Sequence, residues 1–196
     1  IDNIASGGYD YYDNDSDANP NGQGSSMSHG THIAGIIAGM KNSSEMHGVA
    51  YSAKILSLRV GSSSGPSGAA AYSAHSGAIA KGAKVLNNSY SLGWSTVGGD
   101  KISPYSNKCG VAKNWCMAAP GTDIYSTVDT TDNGHSGNYA TMSGASMATP
   151  HVSGAIAVLR SKWPSKTAAQ IVTILYDTAT DLGDAGIDTT YGRGLL

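Results

Sequence analysis

A serine at a glycine-flanked turn that opens an apolar helix constrains this chain more than any other feature. The stretch is Met142-Ser143-Gly144-Ala145-Ser146-Met147-Ala148-Thr149-Pro150-His151-Val152-Ser153-Gly154. Apolar residues at Val152, Ile156 and Leu159, with small residues between them, predict a helix over 145–159 that is buried on most sides. The N-terminus of such a helix faces a dry place. Its first N–H groups lack helical partners and carry partial positive charge, so an oxyanion forming beside Ser146 would meet ready donors. A serine in that position is ordinarily just a helix cap, and the turn by itself does not decide between the two.

A second local pattern lies far upstream: Ser28-His29-Gly30-Thr31-His32-Ile33-Ala34-Gly35-Ile36-Ile37-Ala38-Gly39. A serine hydroxyl is a weak nucleophile without a neighbouring base, and histidine is the side chain whose unperturbed pKa lies nearest neutrality. Gly30, Gly35 and Gly39 are expected to let backbone and helix pack closely around the imidazole. His29 and His32 at i, i+3 would make a weak metal pair without further ligands, and the HExxH spacing is absent, so no metal site is expected.

These two stretches resemble the histidine and serine blocks of the subtilisin-like serine proteases, the subtilases. The resemblance implies that His29 is the general base and Ser146 the acylated nucleophile, with His32 and His151 in structural positions. The serine block is not the GxSxG elbow of α/β-hydrolases, because Ala148 stands where that motif has glycine. It also implies the fold: an α/β, three-layer domain with a mostly parallel sheet between helices. The segment 53–60 reads as a buried strand, 72–81 as a helix and 84–89 as the next strand, an order that implies a right-handed parallel crossover.

By the same resemblance the ends of those strands flank a cleft in which an extended peptide adds as a strand, with Gly61, Ser89, Tyr90 and Ser91 as its walls. The register stays open, since Ser89-Tyr90-Ser91 and Ser91-Leu92-Gly93 each fit. Downstream, Ala118-Ala119-Pro120-Gly121 and Ile124-Tyr125-Ser126-Thr127 resemble the strand leading to the serine loop. Tyr191-Gly192-Arg193-Gly194-Leu195-Leu196 resembles the closing segment of the domain.

Two departures fall on the catalytic machinery, so some family segments are expected to be missing. No Asp-Ser/Thr-Gly block precedes His29. Asp2 is a poor candidate for the carboxylate that orients the histidine, and Asp10, Asp13, Asp15 and Asp17, in a polar loop with no strand before them, are poorer still. The stretch 92–106 is also too short for the helix, buried strand and asparagine-bearing oxyanion loop the family places there, and none of those is legible in 93–102. Magnitudes borrowed from other serine proteases put the loss of the aspartate at about 10⁴ in turnover, and of one oxyanion donor at about 10² to 10³. The chain as written is therefore expected to be severely impaired. Omission of segments from a working enzyme is favoured over decay to a catalytically dead peptide binder, because glycines persist around both blocks.

With 196 residues the chain is read as one peptidase domain, 1–196. Charged residues make up only 13% and the net charge is −2, which leaves no basic face for nucleic acid. No apolar run reaches membrane-spanning length. Cys109 and Cys116 bracket a short polar loop and are expected to pair, at roughly 2 to 3 kcal/mol, in an oxidising compartment; two free buried thiols are the alternative. A secreted or cell-surface location, peptide or protein substrates, no cofactor and a monomer are the corresponding expectations. The segment from Asn107 to Pro120 resembles the subtilase passenger domains of bacterial autotransporters. The alternating carboxylates from Asp13 to Asp17 suggest a calcium loop but lack the closing glutamate of an EF-hand, and a solvated turn is the favoured reading.

Overall fold

The structure, a computed structural model, describes residues 3–19, 28–43, 45–90, 95–129, 135 and 137–196. The chain gathers into two compact units, Ile1–Leu86 with Ser126–Ala140, and Asn87–Tyr125 with Thr141–Leu196.

In the first unit, strand β1 (Tyr9–Asp10) runs parallel to β2 (Leu58–Arg59), with Tyr9 opposite Leu58 and Asp10 opposite Arg59. A parallel bridge between Ile4 and Ile55 extends the pairing. The long strand expected over 53–60 is thus a bridge and a two-residue ladder. Helix α1 (Ser28–Ala38) turns Ser28, His32, Gly35 and Ile36 inward, the i, i+4, i+7, i+8 rows of one face, and Ala38 at its end is buried as well. A short hairpin, β3 (Gly61–Ser62) with β4 (Gly65–Pro66), leads into helix α2 (Gly68–Ala80). Ser67 caps α2 by accepting the Ala70 N–H, and the buried stripe is Ala70, Ala74 and Ala78.

The segment 84–89 was expected as a strand. It keeps the period-two burial of one, with Lys84, Leu86 and Asn88 exposed and Val85, Asn87 and Ser89 turned inward. No ladder forms there among the described residues, and the sheets stay two or three strands wide.

The second unit is built on the sheet β6-β5-β7: β5 (Ser95–Gly98), β6 (Lys101–Ile102) and β7 (Ala118–Pro120). Strand β5 is antiparallel to β6 and parallel to β7. Sequence reasoning found no element over 93–102, yet β5 is a buried strand whose Thr96 and Val97 are 0% and 1% exposed. Helix α3 (Ala145–Lys162) lies on β5 and β7, and α4 (Ala168–Thr178) packs beside it. Met117, Ala119, Ala148, Val152 and Leu175 form the apolar centre, with Ile156 and Leu159 against it. The capping box of α4, Thr167 with Gln170, satisfies two otherwise orphaned N–H groups. Strand β8 (Ile124–Thr127) pairs with β9 (Tyr139–Met142), which delivers the chain to the serine turn.

The Cys109–Cys116 disulfide is formed. The closing segment clasps its loop: the Cys109 and Gly110 N–H groups donate to Thr190 and Thr189, and the Arg193 N–H donates to the Cys116 carbonyl.

Candidate active site

Ser146 is the second residue of α3, and the turn before it depends on glycine. Gly144, the cap residue, sits at φ 154° and ψ 166°, backbone space that only glycine enters at low cost. Its N–H is anchored on the Gly121 carbonyl at 2.7 Å, just beyond β7, and its own carbonyl accepts the Met147 and Ala148 N–H groups at 2.9 and 3.3 Å. Two of the four N-terminal donors are thereby satisfied. The N–H groups of Ala145 and Ser146 have no acceptor among the described residues, so this end of the helix keeps two donors beside the hydroxyl. Pro150 lies inside α3 without breaking it. The flanking carbonyls find side chains: Thr149 Oγ1 donates to Ala145 at 2.9 Å and His151 Nδ1 to Met147 at 2.8 Å.

The Ser146 hydroxyl donates to the carbonyl of Ser89 at 3.0 Å. Of the expected wall residues, Ser89 is therefore in direct contact with the candidate nucleophile. Tyr90 is half-buried, its phenol donates to Asn88 Oδ1 at 2.8 Å, and burial pushes its pKa up. Ser91, Leu92 and Gly93 lie outside the described residues, as does Asp2. Gly61, in the first unit, pairs through β3 with Pro66 of its own hairpin.

His29 stands in the first turn of α1, half-buried, and burial holds its pKa below the ordinary 6.5. Ser28, fully buried, accepts the Asp129 N–H at 3.1 Å, and His32, also fully buried, donates from Nε2 to the Ala140 carbonyl at 3.1 Å. Both pin the histidine helix to the 126–140 segment. Ser126 and Thr127 complete the seam, their hydroxyls donating to the His32 and Thr31 carbonyls at 2.8 and 3.0 Å. A Cβ at Gly35 would strike both of those hydroxyls. Gly30 differs from the expectation of close packing, since a Cβ there meets no described atom within 4 Å. Gly35→Ala is accordingly expected to destabilise by about 2 to 3 kcal/mol through overpacking, whereas Gly30→Ala gains a few tenths through helix propensity. Urea unfolding midpoints read both.

Asp10 corrects the sequence reading. It does have a strand, β1, and its side chain is 0% exposed. Its carboxylate accepts the Tyr12 and Asp13 N–H groups at 2.7 and 3.0 Å and pairs with Arg59, which also bonds Asp13. Burial alone would raise its pKa. The Asp13 N–H, the Arg59 guanidinium and the Tyr12 N–H outweigh that and hold the carboxyl below its usual value. Those partners commit Asp10 to holding β1 and β2 together. In the loop that follows, Asp15 accepts the Asp17 N–H at 2.8 Å, and Asp17 accepts the Asn19 N–H at 3.0 Å, as carboxylates do in solvated Asx turns.

Sequence reasoning missed a polar chain beside Ser146. Ser153 Oγ donates to Asn87 Oδ1 at 2.8 Å, and Asn87 Nδ2 donates to Ser89 Oγ at 2.8 Å. The signal that could have shown it is the spacing of Ser146 and Ser153, two helical turns apart on one face of α3.

The subtilase family model matches residues 2–98 and 94–194. The match comes in two pieces that meet within β5, inside the stretch 92–106 that is short for the family. An extracellular serine protease of Serratia marcescens is 39% identical over 126 residues, 56% of this chain and 12% of that protein. Subtilisin NAT of Bacillus subtilis subsp. natto is 33% identical over 227 residues, 92% of this chain and 57% of the subtilisin. That alignment is longer than the 196-residue chain, so the subtilisin carries segments with no counterpart here. The chain thus spans less than two thirds of either relative. Fervidolysin of Fervidobacterium pennivorans, a keratinolytic enzyme related to subtilisin, superposes with a TM-score of 0.79 at 26% identity, covering 100% of this chain and 38% of that one. With nearly its whole length matched by the family model and its fold shared with these enzymes, the chain belongs to the subtilase family.

Proposed function

We propose that this chain carries the centre of a secreted serine endopeptidase, with Ser146 as nucleophile and His29 as general base. The observation that carries the reading is the serine turn: a half-buried hydroxyl at the mouth of α3, beside two N–H groups without an acceptor among the described residues. In the proposed reaction Ser146 Oγ attacks the peptide carbonyl carbon and its proton passes to the His29 imidazole. The oxyanion is held by the Ala145 and Ser146 N–H groups. The tetrahedral intermediate then collapses, the imidazole protonates the leaving amine, and an acyl-enzyme remains for water to hydrolyse by the same relay in reverse. Ser89, Tyr90, Ser91 and Gly61 are assigned to substrate binding by the family resemblance. The chain acts as one monomeric peptidase domain without cofactor, metal or nucleic acid, on peptide or protein substrates outside the cell. The similarity to an extracellular serine protease of Serratia marcescens supports that location.

A catalytically dead peptide binder is the alternative reading. Hydrolysis of casein or a peptide amide separates the two. Enzymatic kcat/KM is expected to require neutral His29. Because burial lowers that pKa, activity should be full above pH 6.5 and fall only as pH drops through a lower value. A binder shows no turnover, and an acid limb above pH 6.5 contradicts His29 as the base.

A further inference from the structure

We propose that Asn87 is a positioning residue for the serine centre, holding the Ser89 carbonyl in place against α3. The inference deepens the reading of Ser146 as nucleophile and rests on it. Helix α3 touches the segment 87–89 at two places: Ser146 donates to the Ser89 carbonyl at 3.0 Å, and Ser153 donates to the Asn87 side chain at 2.8 Å. Asn87 closes the figure by donating to Ser89 Oγ at 2.8 Å. Ser89 and Ser153 are 7% and 6% exposed, so water competes little for these bonds.

The need for such a clamp follows from the backbone. Among the described residues, 84–89 have no ladder, and no sheet hydrogen bond there fixes the height of the Ser89 carbonyl on the helix. Side chains do it instead. An amide suits the task because it offers an acceptor to one hydroxyl and a donor to the other at once. Its loss lets the 87–90 segment shift along α3. A shift of that kind harms a long substrate, which must pair with the wall, more than a small electrophile that needs only Ser146.

Two fluorophosphonate probes on the intact chain measure this: one small, and one carrying a tripeptide. Asn87→Leu keeps the volume and removes both bonds, and Ser153→Ala removes one. Each is expected to slow labelling by the peptidyl probe about tenfold while slowing the small probe no more than about threefold, with the double variant no worse than Asn87→Leu. Equal slowing of both probes, or none, overturns the proposal, and a general loss of stability gives equal slowing. If neither probe labels the wild type, the nucleophile reading fails. Hydrogen exchange then decides the clamp by itself: faster exchange confined to 87–90 in either variant supports it, and unchanged exchange overturns it.

Discussion

Ser146→Ala is expected to bring peptide hydrolysis to background, His29→Ala to do the same, and the double substitution to be no worse than either alone. Residues that act as one unit lose their joint contribution once, so non-additivity is the signature of a shared proton. In subtilisin, whose figures are borrowed here, removing the serine or the histidine costs about 10⁶ in kcat, and removing the aspartate alone costs about 10⁴. The sequence has no Asp-Ser/Thr-Gly block before His29. Each single substitution should cost at least about 10², the serine and histidine contribution that remains in subtilisin once its aspartate is removed. Additive losses from the two substitutions would mean that the residues act separately.

Asp10→Ala carries the largest expected effect on stability, a loss of about 3 kcal/mol at neutral pH. Removing the fully buried carboxylate leaves two backbone N–H groups without their acceptor and takes one of two carboxylate partners from Arg59, 14% exposed. The figure sits at the low end for a broken buried pair, because Arg59 keeps Asp13 and lies over the Tyr12 ring. The pH dependence has a definite sign. A carboxyl whose folded pKa is depressed contributes stability that is present above its unfolded value, near 3.8, and is lost as pH falls through the folded value. The gap between wild type and Asp10→Ala should therefore be full at pH 7 and narrow below pH 3.8 in denaturant titrations. A gap that widens in acid contradicts the paired state.

How legible each part was depended on the range of the interactions that make it. The serine helix was read over 145–159 and runs Ala145–Lys162, because its apolar spacing is local; the added turn carries Arg160 and Lys162, which suit the negative end of the helix dipole. Helix α2 was read from 72 and begins at Gly68, since a run of glycine and alanine shows no period even though Ser67 marks the cap. The disulfide was read from spacing alone and is present. Strand β1 was illegible because it is two residues long and its partners lie 49 positions away. The chain of Ser153, Asn87 and Ser89 was illegible for the same reason, as its link to α3 spans 66 residues. The resemblance supplied roles for His29 and Ser146, and the local geometry adds what surrounds each of them.

The most direct test is intact-mass labelling of the whole chain with a small fluorophosphonate, followed by peptide mapping. A single adduct on Ser146 is expected, formed at a rate that is level above pH 6.5 and falls as pH drops through a lower value, absent in Ser146→Ala and slowed at least about a hundredfold in His29→Ala. An adduct on another serine, or labelling of Ser146 at an unchanged rate without His29, would contradict it.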